Sequence, residues 1–145
     1  MKKKFLLGLG LVASGLITPL IAANCQGNTP KQNTQKLTPT QIQLIENSFV
    51  FEKTTEGNTK SFDELWDILV NKFNYYSKIN LAHIKNDPEL KKLVHIDFVD
   101  INNIQVGHNL NITLTQSQST KQIYLKWQVS CEAFGIEGTG KVVLE

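Results

Sequence analysis

The sequence contains no arginine. Every basic side chain apart from histidine is a lysine, which excludes the forked guanidinium contacts that usually grip phosphates and carboxylates in two places at once. Net positive charge is also scarce where a folded domain would need it. Of 15 lysines, Lys2, Lys3 and Lys4 sit ahead of a long apolar run, and without them twelve lysines face 13 acids. A mature charge of −1 argues against nucleic-acid binding, which wants a retained cationic face. Close histidine pairs are missing too: His83, His95 and His108 are each more than ten positions apart, whereas zinc ligands are usually announced by tight spacing. Even with Asp97 or Asp100 as a fourth ligand, these histidines read as scattered surface residues, and no metal or cofactor is expected.

What is present begins with a targeting segment. Lys2 to Lys4 form a positive start, Phe5 to Leu20 are almost uniformly apolar, and small residues at Ala22 and Ala23 precede Asn24 and Cys25. That order belongs to a secretory signal peptide. The apolar run is nearly long enough to span a bilayer, but Gly8, Gly10, Ser14, Gly15, Thr18 and Pro19 weaken it as an uncleaved anchor.

The stretch Pro19-Leu20-Ile21-Ala22-Ala23-Asn24-Cys25 resembles the lipobox of bacterial lipoproteins, in particular surface lipoproteins of mycoplasmas and other mollicutes. It departs from the commonest pattern at Ala22, where Leu, Val or Ile is usual, and at Asn24, where Gly, Ala or Ser is usual. The resemblance implies cleavage between Asn24 and Cys25 and a diacylglycerol thioether on Cys25. It also implies a place at the extracellular face of the cell membrane, with a role in adhesion or antigenic display. The competing reading is a disulfide between Cys25 and Cys131, the only two cysteines. Lipidation is favoured here because Cys25 follows the apolar region at cleavage spacing, while Cys131 falls on the apolar phase of a strand as a small buried side chain.

Three regions follow: residues 1–24 as signal peptide, 25–37 as a lipidated polar tether, and 38–145 as one small domain. The tether lacks large apolar side chains through Lys36 and cannot bury enough surface to fold. Thr38-Pro39-Thr40-Gln41 is a capping box for a short helix to about Ser48, with Phe49-Val50-Phe51 able to extend as a strand. Ser61-Phe62-Asp63-Glu64 opens a second helix, whose stripe of Phe62, Leu65, Trp66, Leu69, Phe73 and Tyr76 predicts burial against a sheet. Asp63, Glu64 and Asp67 fit the helix start and need no catalytic role. Asp87-Pro88 starts a short third helix ending near Leu93.

Beyond Val94 the period changes to two, through Ile96 and Phe98, then Leu110, Ile112 and Leu114, then Ile123, Leu125, Trp127, Val129 and Cys131. The expectation is an α+β domain in which helices are followed by an antiparallel four-stranded meander packed on the main helix, broadly similar to cystatin-like folds. Gly135 to Val142 nearly matches a phosphate-binding loop, but Val142 replaces the hydroxyl residue and no helix can follow. Gly138-Thr139-Gly140 therefore reads as a hairpin turn before a last strand from Lys141 to Leu144.

No nucleophile with a base is evident, so no enzyme is expected. Cys131 with a nearby histidine could supply a thiol nucleophile, but its place on the apolar phase of a strand reads instead as an inert core residue. The chain reads as a non-catalytic surface lipoprotein, held to the membrane by its lipid and presenting a binding domain to an extracellular protein or host ligand. The alternative is an accessory or substrate-binding lipoprotein of a transporter or secretion system.

Overall fold

The computed structural model describes residues 34–145. Asn24 and Cys25, and hence the predicted cleavage and lipid site, lie outside them. No helix among the described residues is long and apolar enough to cross a membrane.

Helix α1 (Pro39–Asn47) leads to strand β1 (Val50–Lys53), helix α2 (Phe62–Tyr76), the single turn α3 (Leu90–Leu93) and strand β2 (Val94–Asp97). Strands β3 (Asn109–Ser117), β4 (Gln122–Cys131) and β5 (Gly135–Val143) complete the order. Both predicted capping boxes form. The Thr38 hydroxyl accepts from the Gln41 amide while the Gln41 side chain accepts from the Thr38 amide, and Ser61 and Glu64 repeat the exchange at α2. Each cap satisfies donors that a helix start otherwise leaves unpaired.

The four-stranded meander does not form. The strands make two antiparallel sheets, β1-β2 and β3-β4-β5. Val94–Asp97, expected as the first strand of the meander, pairs instead with Val50–Lys53, matching Phe51 with Ile96 and Glu52 with His95. Its link to β3 is broken by the 3₁₀ turn Ile101–Asn103, where the Asp100 carboxylate accepts from the Asn102 amide. The sheets are nevertheless stitched together at Glu145, whose amide donates to the Phe51 carbonyl and whose carbonyl accepts from the Lys53 amide.

A second correction concerns the glycines. Gly138-Thr139-Gly140 is not a turn but the middle of β5, and the reversal from β4 lies at residues 132–134. Gly140 faces Trp127 across the pair, and a methyl group there would lie 2.5 Å from the indole, so only a bare α-carbon lets the ring lie flat on the strand. Phe49 stacks on Trp127 with ring centroids 5.9 Å apart.

One apolar cluster packs Leu65, Leu69 and Phe73 of α2 with Phe51, Ile84, Leu90, Val94, Ile123 and Leu125. A second gathers Ile45, Ile101, Trp127 and Val129 with Leu37. Thr34 and Leu37, counted with the tether on composition, are thus buried on the domain. The Asp87 carboxylate, 4% exposed, joins α2 to α3. It receives Lys72 at 2.9 Å, Tyr76 at 2.9 Å and the amides of Glu89 and Leu90.

Candidate functional site

The alternation of β4 buries Ile123, Leu125, Trp127, Val129 and Cys131 and leaves Tyr124, Lys126, Gln128 and Ser130 on the opposite face of the sheet. Pairing extends that outer face sideways. Thr113 is opposite Lys126 and Lys126 opposite Lys141; Asn111 is opposite Gln128 and Gln128 opposite Thr139. Two rows of three polar side chains therefore lie side by side, lining a concavity of about 630 Å³ together with Ile112, Trp127 and Gly140.

Its charge has no carboxylate partner among the described residues. Lys126 and Lys141 are cross-strand neighbours, and like charges so placed repel. Neither forms an ion pair among the described residues, although Lys72 and Lys85 find carboxylates elsewhere. The Lys141 ammonium instead sits 4.6 Å from the centroid of the Tyr124 ring. That cation–π contact fixes the ammonium without neutralising it.

A second polar constellation is buried. Register places Val129 opposite Gly138 but Ser130 opposite Ile136, so Glu137 is an extra residue in β5, a bulge. Bulges re-aim side chains, and here Ile136 is turned out to 61% exposure while the carboxylate of Glu137 is turned inward. Its Oε2 lies 2.8 Å from Nε2 of His108, with both side chains at or below 1% exposure, and its Oε1 accepts from the Leu37 amide at 2.6 Å.

Among the described residues, His108, Glu137 and Cys131 form the one group with metal-ligand atoms within 4.8 Å of one another. Cys131 is disulfide-bonded, so its sulfur is not a thiolate ligand. A histidine already engaged by a carboxylate falls short of the four donors of a structural zinc site. The constellation fits a role in holding Leu37 to the sheet, not a metal centre.

The other sequence candidates disperse. His83 and His95 are exposed, and neither joins His108, which is buried and not a surface residue. Asp97 is paired with Lys85 at 3.0 Å and Asp100 caps its own turn. Asp63 and Glu64 occupy the first turn of α2. Cys131 as a disulfide has no nucleophilic thiol, and the apparent phosphate loop is strand β5. The concavity escaped sequence reading because Lys141 becomes the neighbour of Lys126 only once residues 138–140 are placed in a strand.

No protein-family model, no curated protein and no solved structure matches the chain.

Proposed function

We propose that this chain is an exported, non-catalytic binding protein, anchored at the extracellular face of the membrane by a lipid on Cys25. In this reading the outer face of β3–β5 is its binding surface. The anchor rests on the order of lysines, apolar run and Cys25 in the sequence. The binding role rests on one observation, the concavity with Lys126 and Lys141 side by side and no carboxylate paired to either among the described residues. Two like charges held together at a cost in stability are accounted for when a ligand of opposite sign completes the site.

The disulfide at Cys131 weighs against the lipid and sets the test. Cys25 is the only other cysteine in the chain, so within one molecule the lipid and an intrachain bridge compete for a single sulfur. The deciding experiment is intact mass and detergent partitioning of protein made in a host that processes lipoproteins, beside Cys25→Ser. A chain starting at Cys25 with the mass of diacylglycerol, entering the detergent phase and losing both properties on substitution, is the expected result. A mass short of two hydrogens with no acyl chains would replace the lipid anchor by the Cys25–Cys131 bridge.

A further inference from the structure

We propose that the concavity on the outer face of β3–β5 binds an acidic oligosaccharide, a hydroxyl-rich chain carrying carboxylate or sulfate groups. The proposal rests on the reading of this face as the binding surface and assigns its ligand class.

Three features select that class. Adjacent strands lie about 4.8 Å apart, so Lys126 and Lys141 stand side by side and present two positive charges to one ligand. Lysine meets it as a point charge, which suits a carboxylate or sulfate attached to a larger body as well as a free ion. The remaining lining decides between these. Asn111 and Gln128 each offer both a donor and an acceptor, as do the hydroxyls of Thr113 and Thr139. A bare inorganic anion would leave the acceptors facing negative charge, whereas sugar hydroxyls use both kinds of group. The volume of about 630 Å³ also exceeds what one ion needs and falls among small-molecule sites of roughly 300–1,000 Å³.

Single-stranded nucleic acid, which is also anionic and hydroxyl-bearing, fits less well. It is held largely by bases stacking on aromatic rings. The ring flanking this site, Tyr124, already carries the Lys141 ammonium over its face.

The test uses the purified full chain in a neutral detergent, titrated calorimetrically at physiological salt. The probes are a sulfated uronic-acid tetrasaccharide, a neutral glucose tetrasaccharide, inorganic sulfate, a short single-stranded DNA, and vesicles containing phosphatidylglycerol. The acidic tetrasaccharide is expected to bind at least about tenfold more tightly than any other probe. Replacing both Lys126→Gln and Lys141→Gln is expected to weaken it by about tenfold or more while leaving the thermal midpoint unchanged or higher, since a repulsive pair is removed. Asn111→Ala with Gln128→Ala is expected to weaken the tetrasaccharide but not sulfate.

Equal affinity for inorganic sulfate, tighter binding of DNA or vesicles, binding indifferent to the lysine pair, or no binding by the acidic tetrasaccharide would each overturn the assignment. Amide shift mapping separates the two levels of failure. Another ligand that perturbs residues 111–113, 126–128 and 139–141 keeps the face as binding surface and overturns only the acidic-sugar assignment. Perturbation confined elsewhere overturns both.

Discussion

Oε2 of Glu137 lies 2.8 Å from Nε2 of His108, while Oε1 of the same carboxylate holds the Leu37 amide at 2.6 Å. One buried side chain thus joins the start of β3, the bulge of β5 and the segment entering the domain. Removing one partner from a buried hydrogen-bonded pair leaves the other unsatisfied, at a cost of roughly 1–3 kcal/mol. Glu137→Ala is expected to lose stability on that scale and Glu137→Gln less, because an amide still has an oxygen for the Leu37 N–H. Urea denaturation of the two variants checks the order, and protease cleavage ahead of Pro39 should accelerate in the alanine variant.

Asp87 gives the fold an acid-sensitive point. Burial pushes its carboxyl upward, but Lys72, the Leu90 amide, Tyr76 and the Glu89 amide more than offset this and hold it at about 2 against an ordinary value of 3.8. A folded-state value below the unfolded one stabilises the protein above the unfolded value and loses that contribution as pH falls toward the folded one. About 2 kcal/mol should therefore be present at neutral pH and disappear between roughly pH 4 and pH 2. Denaturation midpoints across that interval should fall in the natural chain and change less in Asp87→Asn, which begins weaker.

Gly140→Ala tests the contact between β5 and Trp127. The added carbon would lie 2.5 Å from Nε1 of the indole, which must tilt away from its stack with Phe49. Overpacking of this kind costs about 1–3 kcal/mol. The expected signature is a red-shifted tryptophan emission together with a lowered denaturation midpoint, and an unchanged spectrum would show that the ring does not rest on the strand.

Deleting Leu144 and Glu145 should loosen the join between the sheets. The buried Leu144 side chain is lost from the main cluster along with both hydrogen bonds to β1. Removal of a buried leucine side chain costs about 2–5 kcal/mol. Hydrogen exchange should report it locally, because the Lys53 amide donates to Glu145 and has its protection there.

Signals confined to a few neighbouring residues were legible in the sequence. The capping boxes at Thr38 and Ser61 need only residues three apart, and the alternation from Ile123 to Cys131 follows the pleat of one strand. Pairing was not legible, because Val94–Asp97 has the same alternation whether its neighbour is a later strand or Val50–Lys53. In β5 the bulge at Glu137 breaks the period, leaving isoleucine in solvent and glutamate in the core. The glycines then pointed to a turn, although Gly140 is there to accommodate an indole and Gly138 faces Ile42 of α1. For the same reason the concave face was not legible, since its two lysines belong to different strands.

The attachment of Leu37 to Glu137 also sets how the domain bears load. A pull arriving from the N-terminal side meets buried Thr34 and Leu37 before it reaches helix α1. The Glu137 carboxylate passes that force to β5, and the strand ladder distributes it across β4 and β3. Helix α1 is thereby shielded from being peeled off the sheet.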